Sequence, residues 1–160
     1  MRKLLYIALT AVLLQACNDS SCLDNTSSVP LMACYDSTGA TTITGLTVMG
    51  VGVPGDSCLA QDESVDELRL PLRITTTRTQ FAISRLVVVD SDSVVLRDTL
   101  TIDYQPVAYF ASRECGAMYN FTINGLSCTD NTIDSAVLVH QEITNANGAA
   151  DLRLYFKQPS

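Results

Sequence analysis

The chain has 160 residues, 47% of them hydrophobic, with ten basic residues against seventeen acidic ones and a formal charge of −7. That balance argues against a nucleic-acid partner, whose phosphates require a basic face, and against an electrostatic grip on anionic lipid. The length suits one domain, large enough to bury a core without metal or dense disulfides.

The chain begins with a positive pair, Arg2 and Lys3, followed by an apolar run from Leu4 to Leu14. A spanning helix needs about 20 apolar residues, so this run has the length of a signal sequence rather than a membrane span. Leu14-Gln15-Ala16-Cys17 then sets a branched apolar residue and a small one ahead of a cysteine. This resembles the lipobox of bacterial lipoproteins, which implies removal of residues 1–16 and acylation of Cys17. The mature chain would hold 144 residues, eight basic and seventeen acidic, for a formal charge of −9.

Asn18 to Pro30 is rich in Ser, Asn and Thr and reads as a flexible tether, so that residues 17–30 link the lipid to a domain over 31–160. Beyond it no helical periodicity is sustained. Short runs of Val, Ile, Thr, Leu and Tyr, cut by Gly, Asn, Asp and Pro, predict an all-β fold. The expected form is a single antiparallel β-sandwich, immunoglobulin-like in architecture. Strands are expected at Leu31–Asp36, Thr42–Met49, Val107–Ser112, Leu126–Cys128 and Ile133–Ile143. Val51 to Glu67, with its acids, reads as a long exposed loop.

Three runs alternate with period two. Leu68, Leu70, Leu72 and Ile74 share one face, and Pro71 would confine that strand to an edge. Tyr119, Phe121 and Ile123 form a second such face, and Leu152, Leu154 and Phe156 a third. Between Thr79 and Tyr104 two β-rich arms flank Asp90-Ser91-Asp92-Ser93, which predicts a hairpin. Centring it there pairs Val89 with Val94, Val87 with Leu96, Ile83 with Leu100 and Phe81 with Ile102. It also sets Arg85 opposite Asp98, a cross-strand ion pair. Asn124-Gly125 suits a tight turn, with a continuous strand as the alternative.

Besides Cys17 there are five cysteines: Cys22, Cys34, Cys58, Cys115 and Cys128. In an oxidising compartment they are candidate disulfide partners; the odd count leaves at least one free, and the pairing stays open. No C-x-x-C pair is present and His140 is the only histidine, so no zinc site is expected. Asp90, Asp92, Asp130 and Asp134 lack the spacing of a calcium loop and read as turn caps. His140 is expected on the exposed face of a strand. No cofactor, metal or catalytic residue is assigned.

Several segments resemble a family of short Bacteroidales envelope lipoproteins classed only as a domain of unknown function. They are Ser21-Cys22, Ala33-Cys34-Tyr35, Leu70-Pro71-Leu72, Asp98-Thr99-Leu100-Thr101-Ile102, Glu114-Cys115-Gly116, Phe121-Thr122-Ile123, Ile133-Asp134-Ser135 and Leu152-Arg153-Leu154-Tyr155-Phe156. The resemblance implies a β-sandwich in the cell envelope and supplies no catalytic residues; Cys58 and Cys128 are not part of the family pattern.

The expected function is a non-enzymatic binding or structural module held at the outer membrane by Cys17, with a protein or glycan partner. Asn18 lacks the aspartate that retains some lipoproteins at the inner membrane. An exposed cluster of Tyr104, Tyr109, Tyr119 and Tyr155 would favour glycan. The alternatives are an enzyme or accessory whose site is assembled from distant residues, and a subunit of a surface fibre or adhesin.

Overall fold

A computed structural model describes residues 27–53, 58–89, 92–112 and 116–158. These residues form strands and no helix: β1 (Leu31–Asp36), β2 (Gly39–Ala40), β3 (Ile43–Gly50), β4 (Cys58–Val65), β5 (Glu67–Arg69), β6 (Arg78–Val89), β7 (Asp92–Ser112), β8 (Gly116–Cys128), β9 (Ile133–Leu138), β10 (Glu142–Ile143) and β11 (Leu152–Phe156). The smaller sheet runs β2-β1-β11-β9 with β5 also paired to β1, and the larger runs β10-β8-β7-β6-β3-β4. This is the expected all-β, sandwich-like fold. Its pairs are antiparallel except β1 with β11, which are parallel.

The core is where the two alternating patterns meet. Met32, Cys34, Ile133, Leu152, Leu154 and Phe156 from the smaller sheet join one buried cluster with Leu46, Val48, Phe81, Ile83, Leu100, Ile102, Phe121 and Ile123 from the larger. Period two puts every second side chain on one face, and the burial of β11 follows it along Leu152, Leu154 and Phe156. Tyr104 is also buried and meets the ring of Phe121 edge-on at 5.4 Å.

The Thr79–Tyr104 hairpin forms, with its register displaced from the expected one. Val87 faces Val94, Ile83 faces Asp98 and Phe81 faces Leu100. Val89 faces Asp92, so two residues rather than four connect the arms, the length preferred for tight hairpins. A displacement by two leaves every side chain on its predicted face. The ion pair is lost: Arg85 stands opposite Leu96, and its guanidinium donates to the carbonyl of Lys157.

Other expectations also change. The alternation from Leu68 to Ile74 is strand only over Glu67–Arg69, an edge strand on β1. Leu70 stays fully buried, but beyond Pro71 both backbone groups of Arg73 bond the Tyr104 hydroxyl, and Ile74 is exposed. The acidic stretch expected as a loop contains β4, the edge of the larger sheet, with register shifts against β3 and Asp62 at a φ of 53°. Bulges and charges are how sheet edges avoid further pairing. Asn124-Gly125 makes no turn: β8 continues through it, and the shift between Asp103 and Tyr104 leaves Asn124 as an extra, bulged residue. Val107–Ser112 is the end of the 21-residue β7, Leu126–Cys128 the end of β8, and Ile133–Ile143 divides into β9 and β10.

The folded unit also reaches back into the expected tether. The Ser28 amide donates to the Tyr119 carbonyl, and Pro30 accepts from Leu70. Ser27 and Asn120 add side-chain bonds to the same junction. Residues 27–30 are therefore held on the domain.

Candidate functional site

With Met32, Cys34, Leu152 and Leu154 turned into the core, the alternate residues of β1 and β11 face away from it. The parallel register then aligns Tyr35 with Tyr155, and Ala33 with Arg153. Glu67 lies beside Ala33 on β5, and Val137 beside Arg153 on β9. The small Ala33 side chain leaves space between Glu67 and Arg153. This is the floor of a polar cleft of about 730 Å³, walled by Thr41, Asp66, His140 and the Gly148–Ala150 turn.

Arg153 stands over the Tyr35 ring, its guanidinium carbon 5.1 Å from the centroid, and the Tyr35 and Tyr155 rings lie 5.3 Å apart, tilted by 42°. A cation over an aromatic face is attracted by the ring quadrupole, which orients the side chain. Arg153 Nε is buried and has no hydrogen-bond partner among the described residues. An N–H in that state is a donor that a bound oxygen would satisfy.

At the cleft wall His140 Nδ1 lies 3.2 Å from Asp151 Oδ1. Asp151 is almost wholly buried; its other oxygen accepts the Leu31 amide at 2.9 Å, and Oδ1 also accepts from Asn147 Nδ2 at 2.8 Å. A carboxylate can only accept, so Nδ1–H donates to it and the bond holds the ring in place. His140 is thus an oriented, half-exposed group just past the end of β9, where alternation predicts an exposed strand histidine.

Cys34 also lines the cleft, but as a core residue only 1% exposed. Cys34 turns its side chain into the core, and burial first, then the charge of Asp66, pushes its thiol up to about 12. Such a thiol is a packing group. The cleft sets the Arg153 guanidinium against the acids Asp66 and Glu67, with the His140 ring beside them, which suits a polar ligand.

The remaining sequence candidates lie elsewhere. Cys58 is exposed and Cys128 half-buried, and both are free, as is Cys34. Burial raises the Cys128 thiol, and Asp98, Asp130 and Asp134 add to the effect. Among the described residues no group of three or more His, Cys, Asp or Glu is placed to hold a metal ion. Cys17, Cys22, Cys115 and Asp90 lie outside the described residues. The tyrosine cluster does not assemble: Tyr104 is in the core, and the partner of Tyr155 is Tyr35. Tyr35, Arg153 and Asp151 escaped sequence reasoning because the parallel β1–β11 pairing joins segments some 120 residues apart, with no local signature.

A second cavity, of about 260 Å³, is mostly apolar and lined by Gly50, Leu59, Leu72, Thr79 and Phe81, none of which lines the cleft. Among the described residues no helix is long and apolar enough to cross a membrane.

Fold and site together define a small all-β protein with one polar cleft on the outer face of its smaller sheet. The chain belongs to the family described as Family of unknown function (DUF6452), which it matches over residues 45–156. No curated protein and no solved structure matches it.

Proposed function

We propose that the protein is an exported envelope lipoprotein, anchored in the outer membrane through Cys17, whose folded part is a non-enzymatic binding or structural module. The observation that carries the anchor is Leu14-Gln15-Ala16-Cys17 at the end of an apolar leader, ten residues ahead of Ser27, which is bonded to the domain. Several acyl chains on one cysteine would hold the protein firmly, since each buried CH₂ contributes roughly 0.8 kcal/mol. The resemblance of its segments to Bacteroidales lipoproteins supports the same reading.

The binding role rests on the cleft. Arg153 fixed over Tyr35, His140 fixed by Asp151, and the flanking acids form a preset array of donors and acceptors, as polar-ligand sites require. A glycan or a polar peptide segment matches that chemistry.

Two experiments test the proposal. Metabolic labelling with a fatty acid should mark the wild type and leave Cys17→Ala unlabelled; label in the variant overturns the anchor. Binding of envelope glycan and peptide fractions should fall at least about tenfold in Arg153→Ala. Binding unaffected by that change, and by His140→Ala, removes the cleft from the function.

A further inference from the structure

The larger sheet has two unlike ends. At one end β3 finishes, β6 begins, β7 finishes and β8 begins. The incoming chain is fixed at this same end, because Ser27 and Ser28 bond Tyr119 and Asn120 near the start of β8. Ile74–Thr77 closes over it, with the Thr77 carbonyl accepting the Tyr104 amide and Ile74 sharing a small cavity with Pro106 and Tyr119.

This end carries large apolar side chains in the open. Phe110 is 71% exposed, Ile74 49%, Val107 45% and Val51 40%. Its β7 and β8 segments are also short of charge: residues 104–112 and 116–128 contain no Asp, Glu, Lys or Arg, and the sequence between them supplies one of each sign, Arg113 and Glu114; the neighbouring elements add Arg73, the Arg78–Asp103 pair and Glu142. In a chain with seventeen acids the omission from these two segments is notable. Asp92, Asp130 and Asp134 belong to the opposite end, where β7 begins and β8 hands over to β9.

We propose that this apolar end rests on the bilayer that receives the lipid of Cys17, with Phe110 and Ile74 immersed in its interface. The inference rests on the anchored-lipoprotein reading and adds an orientation to it. Nine residues lie between Cys17 and Ser27, which makes ten Cα–Cα steps. Fully extended they span at most about 35 Å, and as a coil roughly 18 Å, so the entry end stays close to the membrane. Exposed apolar and aromatic side chains partition into the headgroup and acyl boundary, and basic residues beside them, here Arg73 and Arg78, face the headgroups, whereas the acidic far side of the protein is repelled by anionic lipid.

A second apolar patch, Leu86, Val88, Val94 and Val95, occupies the far end of the β6–β7 hairpin. It lies roughly 45–50 Å along β7 from the entry point at strand rise, beyond the extended reach of the linker, and it borders Asp92. The membrane contact is therefore assigned to the Phe110 end.

The protein contains no tryptophan, so a single introduced one reports its own position. The lipidated full-length protein is reconstituted into phosphatidylethanolamine–phosphatidylglycerol vesicles that include acyl-brominated lipid. Phe110→Trp, Ile74→Trp and Val88→Trp are compared; all three positions are exposed, and circular dichroism checks each fold. Emission from Phe110→Trp and Ile74→Trp should shift to the blue and fall at least roughly twofold relative to Val88→Trp, as expected for groups buried about 5–10 Å into the interface. Equal quenching at all three positions, or stronger quenching of Val88→Trp, overturns the proposed orientation. Mass spectrometry of the N-terminal peptide is run on the same preparation. Acylated protein with unquenched reporters refutes the contact alone, whereas an unmodified Cys17 refutes the anchor and the contact that depends on it.

Discussion

Asp98 offers the sharpest test of how this fold is held. Its place on the inward face of β7 would strand a carboxylate in the core if nothing met it. Instead β8 ends at Cys128 and the chain crosses to the smaller sheet directly over it. One oxygen accepts Thr129 Oγ1 at 2.6 Å and the Asn131 amide at 2.8 Å; the other accepts the Thr132 amide and hydroxyl, both at 2.6 Å, and the Ile133 amide at 3.1 Å. Asp98→Ala leaves three backbone N–H groups without an acceptor. At about 1–3 kcal/mol for each orphaned buried donor, reduced by water entering the gap, the cost is about 3–5 kcal/mol. For a domain of this size that lowers the melting temperature by roughly 12–20 °C. Asp98→Asn separates shape from chemistry: it fits the same space, but its amide nitrogen turns donors toward donors on one side, so at least half of that loss should remain.

The pH dependence carries the same signature. Burial pushes the Asp98 carboxyl up, but hydrogen bonds from Thr129, Thr132 and Asn131 together outweigh it and hold the group below the ordinary carboxylate value of 3.8. A carboxyl whose folded pKa is depressed contributes stability that is fully present above its unfolded pKa. That contribution is lost as the pH falls through the folded one. The gap in calorimetric melting temperature between wild type and Asp98→Asn should therefore be constant near neutrality and close as the pH drops below about 4. An Asp98→Asn protein that melts within about 1 °C of wild type at neutral pH, or a gap that does not close in acid, would refute this account of the crossover.

Further expectations follow from other parts of the structure. Tyr104→Phe removes the hydroxyl that bonds Thr79 and both backbone groups of Arg73. It should cost about 1–3 kcal/mol and speed hydrogen exchange at the Arg73 amide ahead of the rest of the domain. Cys58 should react with a thiol reagent in the native protein, while Cys34, with its thiol near 12 and its side chain in the core, should react only on unfolding. Gly45 has a φ of +67°, and an added Cβ would lie 3.3 Å from the Leu86 carbonyl oxygen. Gly45→Ala should therefore destabilise by about 1–2 kcal/mol in urea titration. Arg78 and Asp103 form an exposed ion pair, and Arg78→Ala should change stability by less than about 1 kcal/mol.

The sequence by itself determined the local properties: strand content, the inward faces of β8 and β11, and the hairpin of β6 and β7. Each depends on period two or on turn chemistry within a dozen residues. Even the displaced hairpin kept its faces, because a shift of two preserves the alternation. Tertiary structure decided what depends on a partner far along the chain. The Asp98 carboxylate, opposite Arg85 on symmetry alone, belongs to the crossover at Thr129–Ile133, since five donors there outbid one distant cation. The acids of β4 became strand because β3 offered an edge, and Leu72 and Ile74 left the strand because the Tyr104 hydroxyl holds the backbone of Arg73. The cleft is wholly tertiary: Tyr35 and Arg153 meet through a parallel pairing that no local pattern announces, and His140 is oriented by a carboxylate eleven residues away across a turn.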